Sequence, residues 1–265
     1  MKRLAFVVVC FAAVLATAQG PFDGTWKTKA DSIQAPPKTD QYKVGDGRYA
    51  CLTCAPKVDV KADGTDQKVT GNPYVDSENV KVTGDRSIET TEKKDGKVVG
   101  TGKLTVSPDN QTMTVKWTFA NTNGKAGEGT SVLKRVGAAP ASGNMVTGEW
   151  RFDSLPAATD NTMMFTFKSS PDGITYEAAT GENYTAKVDG KDYPYKGDPG
   201  TTSVSLKKIN DRTLEETDKR DGKVINVSRI TVSADGKTLA VVSDDKLHHQ
   251  VWKATAEKQE TASGK

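Results

Sequence analysis

Apolar residues in this chain recur at every second position rather than every third or fourth. Met113, Val115, Trp117 and Phe119 alternate with Thr114, Lys116 and Thr118, while Val98, Leu104 and Val106 share one parity with Gly100 and Gly102. The same period runs through Met163, Phe165 and Phe167 and through Leu239 and Val241. Side chains of a strand point alternately to its two faces, so this pattern predicts half-buried strands. Helices are disfavoured, because Thr and Val crowd these windows and Gly or Pro interrupts them about every 8 to 12 residues; no long helix is expected. Asp-Gly pairs punctuate the strands at Asp63-Gly64, Asp95-Gly96, Asp189-Gly190, Asp221-Gly222 and Asp235-Gly236. Such pairs suit the positive φ of tight hairpin turns. A meander of hairpins leaves two open edges unless the sheet closes, so a barrel is the expected solution.

The chain also repeats itself. Slid so that Val60 overlies Ala186, the segment from Asp85, DRSIETTEKKDGKVVGTGKLTVSPDNQT, falls without a gap on that from Asp211, DRTLEETDKRDGKVINVSRITVSADGKT. Upstream, Gly24-Thr25-Trp26 matches Gly148-Glu149-Trp150. At 265 residues the chain exceeds the usual limit of a single core, roughly 250 residues, so two domains are expected. Internal similarity places them at 19–136 and 146–253, each an antiparallel barrel of about nine or ten strands. The small, Gly- and Pro-punctuated stretch 137–145 reads as a linker. The last residues, 254–265, have no apolar period and read as a disordered tail.

Residues 1–18 carry Lys2 and Arg3, an apolar run from Leu4 to Val14, and Ala16-Thr17-Ala18 in the small-x-small spacing of a signal-peptidase site. Cleavage is expected between Ala18 and Gln19, leaving no transmembrane segment and a periplasmic or secreted protein. Without Lys2 and Arg3, the 37 basic residues nearly balance the 34 acidic ones. Both signs alternate along most segments, so the basic face that nucleic acid requires is missing.

A Gly-x-Trp opening the first strand of a roughly 115-residue meander resembles the lipocalin and calycin superfamily of ligand-binding barrels. In that superfamily the Trp closes one barrel end beneath a basic residue of the last strand, which implies the pairs Trp26 with Arg135 and Trp150 with Lys253. More closely, the segments ADGTDQKVTGNPY and LEETDKRDGKV resemble duplicated, secreted, lipocalin-like proteins of Gram-negative bacteria, generally uncharacterised. The resemblance implies a compartment and a fold, not an activity.

Candidate chemistry is sparse. Cys51 and Cys54 form a C-x-x-C whose readings are an oxidised structural bridge, a redox pair, or half of a zinc site lacking its other ligands. An exported pair oxidises, so the bridge is favoured. His248 and His249 are the only histidines and, if on a strand, face opposite ways, unsuited to one metal. Glu89 and Glu215 recur in both copies, behind Arg86 and Arg212, and read as charges on a solvated face. No catalytic residue, metal site or cofactor is expected. Three functions stay open: a binding module for a small apolar or amphipathic ligand, a structural or envelope-associated protein with filled barrels, and a thiol-disulfide redox protein.

Overall fold

The computed structural model describes residues 20–120 and 125–260. The segment 1–18 expected to be a signal peptide, its expected Ala18–Gln19 junction and residues 261–265 lie outside the described residues. The fold is all-β: two antiparallel ten-stranded sheets, each curled into a nearly closed barrel. In sheet order the first runs β4 (Val58–Lys61), β3 (Arg48–Cys51), β2 (Asp40–Gly45), β11 (Gly148–Ala158), β10 (Ala126–Val136), β9 (Thr112–Ala120), β8 (Lys97–Val106), β7 (Ser87–Lys94), β6 (Ser77–Gly84) and β5 (Asp63–Lys68). The second runs β14 (Asn183–Ala186), β13 (Gly173–Ala178), β12 (Met164–Ser170), β1 (Gly24–Thr28), β20 (Gln250–Lys258), β19 (Thr238–Asp245), β18 (Lys223–Val232), β17 (Thr213–Arg220), β16 (Ser203–Asn210) and β15 (Asp192–Pro194). Asn183 and Lys196 exchange backbone hydrogen bonds of 2.9 Å across the gap between β14 and β15. In the first barrel, β4 and β5 meet at Ala62, whose N–H donates to Gly47 O at 2.8 Å.

The barrels do not coincide with the sequence copies. The opening strand of each copy lies in the other copy's barrel. β1 pairs with β12 and β20, Thr25 facing Thr166 and Trp26 facing Phe165 and Lys258. β11 pairs with β10 and β2, Trp150 facing Arg135 and Asp40. The expected domains 19–136 and 146–253 are therefore corrected. The first barrel is the continuous segment 40–158, and the second unites 24–28 with 164–258. The exchange works because Gly24-Thr25-Trp26 and Gly148-Glu149-Trp150 offer the same local pattern, so either strand fits either slot.

Two further boundaries move. Residues 137–145 strap the closed end of the first barrel instead of joining the barrels: Met145 N–H donates to Asp85 O at 2.7 Å, Asn144 Nδ2 donates to Gly84 O at 2.8 Å, and Val146 is buried. Of the presumed tail, Ala254–Lys258 belongs to β20, with Ala256 buried against the second core. Alanine is too weak an apolar signal to have marked that strand.

Two separate cores result, one around Trp150, Ile88, Met113 and Val80, the other around Trp26, Phe167, Leu214 and Leu239. Leu104, Val106 and Met113 point inward as their parity predicts, but Val98 is 53% exposed. The β7–β8 register slips between Glu92 and Lys93, and such a bulge turns later residues to the other face. Met163 ends a four-residue helix, α1 (Asp160–Met163), rather than extending a strand. Asp95 and Asp221 adopt φ near 50° ahead of positive-φ glycines in the β7–β8 and β17–β18 hairpins, and Asp46-Gly47 does the same between β2 and β3. Asp63-Gly64 instead occupies an irregular stretch within β5.

The exchange sets how the barrels face one another. The chain leaves the second barrel at Thr28 and enters the first at Asp40; it leaves the first at Ala158 and re-enters the second at Met164. Asp40 lines the first lumen, and Thr28 and Met164 line the second, so the linkers run between the two mouths, which face each other. Phe152 packs edge-on against Trp252 (centroids 6.0 Å), and Lys38 Nζ donates to His248 O at 2.8 Å. Tyr74, in the first barrel's rim, approaches Gly200 so closely that a Cβ there would strike its ring.

Candidate functional site: two facing lumens

Each barrel is sealed at its outer end by a Gly-x-Trp. Trp150 Nε1 donates to Val146 O and Trp26 Nε1 to Phe22 O, both at 2.8 Å, and both indoles are fully buried. The basic partners differ from those implied by resemblance. Arg135 stacks 4.1 Å over Trp150, not Trp26, because the strands are exchanged. Over Trp26 lies Lys258, 5.2 Å from the ring centre, not Lys253. Lys253 is exposed and bridges Gln34 through its backbone. Lys258 belongs to the stretch 254–265 expected to be a tail, so its strand, β20, runs past the expected end of the copy. The glycines have two reasons to be there. Gly24 and Gly148 each sit at φ 135°, and a Cβ at either would collide with the basic side chain above it.

Above these plugs the lumens are open. The second barrel encloses a cavity of about 420 Å³, its wall carrying Met164, Phe165, Tyr176, Ile230 and Val241. Aromatic rings are in mutual contact along and behind this wall. Tyr176 stacks on Tyr184 (5.2 Å), Tyr184 meets Tyr195 (5.6 Å), and Phe167 meets Tyr176 (5.4 Å). Facing this ladder from β17 is Glu216, one carboxyl oxygen of which accepts from Tyr184 Oη. Burial first, and Asp218 second, push the Glu216 carboxyl up to about 8. Burial likewise raises Asp218 to about 6; its Oδ2 accepts from Asn226 Nδ2 at 3.1 Å, while its Oδ1 is buried without a partner.

The first barrel's lumen is larger, about 840 Å³, and more polar. Glu78 and Glu92 face each other across β6 and β7 beside Tyr49. Desolvation and the neighbouring Glu92 raise Glu78 to about 7, and burial raises Glu92 in the same direction. Trp117 and Phe119 stack at 6.0 Å along the wall. Between the mouths lies a cleft of about 480 Å³, which shares Val75, Glu92 and Phe119 with the first lumen and Glu182 with the second. The cleft thus borders both lumens, with Glu92 on one side and Glu182 on the other.

The cysteines border the first lumen. Cys51 and Cys54 are bonded as a disulfide, with Cα atoms 5.5 Å apart, in the loop between β3 and β4 at the rim of the first lumen; Cys51 is buried and Cys54 exposed. His248 and His249 occupy the β19–β20 turn rather than a strand, and His248 Nδ1 lies 2.6 Å from Asp245 Oδ2. Glu89 and Glu215 sit on the outer faces, ion-paired to Lys103 at 3.0 Å and Arg229 at 3.4 Å. Among the described residues no group of three or more His, Cys, Asp or Glu is placed to hold a metal ion.

Sequence reasoning passed over Glu78, Glu92, Glu216 and Asp218. The signal was available: Glu92 shares the parity of the buried Ile88, and Glu216 and Asp218 that of the buried Leu214. Comparison with protein-family models, with curated proteins and with solved structures finds no match.

Proposed function

We propose that this chain is an exported, non-catalytic binding protein, lipocalin-like in each barrel, that holds a small molecule with an apolar body and a polar end inside its lumens. The observation that carries this reading is the second barrel's cavity: about 420 Å³ of largely apolar and aromatic wall that carries the Glu216 carboxyl group. Ligand sites are typically of this size, and mostly apolar with a few placed polar groups. A filled structural barrel has no use for such a space, which favours binding over the structural reading. Export is supported by the basic, apolar and small-residue order of 1–18 and by the oxidised Cys51–Cys54 bridge, at home in an oxidising compartment. We read that bridge as a staple on the rim of the first lumen rather than a redox centre, since it lies between strands β3 and β4 with no helix N-terminus among the described residues there to stabilise a thiolate.

Native mass spectrometry of the protein purified from its own cells tests the reading. The expected result is an adduct of constant mass, lost on unfolding, and its loss after Phe165→Asp, which charges the cavity wall. Bare protein mass that no added amphiphile increases would refute it.

A further inference from the structure

We propose that the second barrel's lumen takes an organic cation: a molecule whose ammonium or amidinium head meets Glu216 while its apolar body lies along Phe165, Tyr176 and Val241. The proposal rests on the binding reading above and gives it a ligand class. Three independent features lead to it. First, the charged side chains lining this cavity, Glu182 and Glu216, are both acidic; no Lys, Arg or His lines it. An anionic head such as a fatty carboxylate would find no basic group there to neutralise it. Second, the carboxyl group is set among aromatic rings, Tyr176, Tyr184 and Tyr195, held in mutual contact. Ring faces attract cations, most strongly where water is excluded, and an aromatic cage closed by a carboxylate is a general solution for substituted ammonium groups. Third, the polar groups here are left short of partners. Among the described residues Tyr184 is the one hydrogen-bond donor to Glu216, whose carboxyl group lines the cavity. A desolvated carboxyl group short of donors is costly to keep charged, and a cation with N–H groups, or a bare positive charge, supplies what is missing.

The groups that face Glu216 are all acidic or phenolic: Asp218 on β17, Tyr184 on β14, Tyr176 on β13, Tyr195 beyond β15, and Glu182 at the mouth. Burial first, and Asp218 second, hold the Glu216 carboxyl well above the ordinary carboxylate range, and a bound cation draws it back toward the ionised form. Binding therefore releases protons, which a neutral or anionic ligand would not cause.

Calorimetric titration of the full chain at pH 7 tests this, with decyltrimethylammonium, decanoate and decanol as probes below their aggregation limits. The cation should bind about tenfold or more tightly than decanoate and decanol, the order expected of a desolvated cation–aromatic contact. Repeating the titration in two buffers of unlike ionisation heat should show proton release. Glu216→Gln should lower cation affinity about tenfold while leaving decanol binding in place, and Glu215→Gln, on the outer face, should change neither. Tighter binding of decanoate or decanol by the unmodified protein would overturn the proposal while leaving the binding reading intact, and this arm needs no variant to fold. Cation binding unaltered by Glu216→Gln would also overturn it. Failure of all three probes to bind would overturn both.

Discussion

Arg135 and Lys258 occupy matching places over the two plugging tryptophans, yet the structure predicts very different consequences for removing them. Arg135 is buried, with its guanidinium 4.1 Å over Trp150, and donates from Nε to Asn110 O at 2.7 Å, from Nη1 to Thr147 O at 2.8 Å and from Nη2 to Met145 O. Replacement by methionine keeps an unbranched stem on the indole but leaves three carbonyls without these donors. Hydrogen bonds from a charged donor contribute roughly 1.5–3 kcal/mol each, and a desolvated cation over a ring about 2 kcal/mol. Release of the guanidinium's own burial cost offsets part of that sum, so Arg135→Met should destabilise by about 3–5 kcal/mol, as breaking a buried ionic contact does. Lys258 lies 5.2 Å from Trp26 and is half-buried, and its side chain makes no comparable set of hydrogen bonds. Lys258→Met should cost about 0.5–1 kcal/mol, the value of a partly solvated cation–aromatic contact. Urea unfolding followed by tryptophan fluorescence measures both. Equal effects, or a loss below about 1 kcal/mol for Arg135→Met, would refute the claim that Arg135 locks the first barrel's closed end.

Stability should depend on pH in the direction opposite to that of salt-bridged carboxylates. Glu216, Glu78 and Asp218 titrate in the folded state at about 8, 7 and 6, above their ordinary values, so between about pH 4 and those values the folded protein holds more protons than the unfolded chain. The melting temperature should fall as pH rises from 5 to 9, and Glu216→Gln should flatten the slope; a melting temperature that rises over this interval contradicts the burial of these groups. Removing the rim disulfide with Cys51→Ala and Cys54→Ala together should cost at most about 2 kcal/mol, since so short a loop removes little entropy from the unfolded chain; a much larger loss in the same denaturation assay would give the bridge a role beyond stapling its rim. Residues 36–160 expressed alone contain every strand of the first barrel and should give a folded, cooperatively melting monomer by circular dichroism, which an unfolded fragment would deny.

Strand period and hairpin turns were legible in the sequence because each is local. The alternation of Met113 through Phe119, and the Asp95-Gly96 and Asp221-Gly222 turns, fix neighbouring strands without reference to the rest of the chain. The exchange was not legible, and the reason is physical. Two copies that open with the same Gly-x-Trp present interchangeable strands, so the internal similarity that reveals the repeat is silent on which copy each strand completes. The misassigned partners of Trp26 and Trp150 follow from that ambiguity. The inward carboxylates were hidden differently. Glu92 and Asp218 sit in segments rich in charge, EKK and DKR, where parity alone separates a lumen group from its exposed neighbours, and a bulge beside each one blurs that parity.

Strand exchange is the central claim, since it turns the mouths of the barrels toward one another. Engineered cross-linking tests it directly. In the structure Thr25 faces Thr166, with their hydroxyls 3.0 Å apart. If each copy kept its own opening strand, Thr25 would take the place of Glu149 and face Gln41, as Glu149 does. With Cys51 and Cys54 replaced by alanine, the account predicts that Thr25→Cys with Thr166→Cys forms an intramolecular disulfide under mild oxidation, and that Thr25→Cys with Gln41→Cys stays reduced. The opposite outcome, a bond to position 41 and none to position 166, would contradict it.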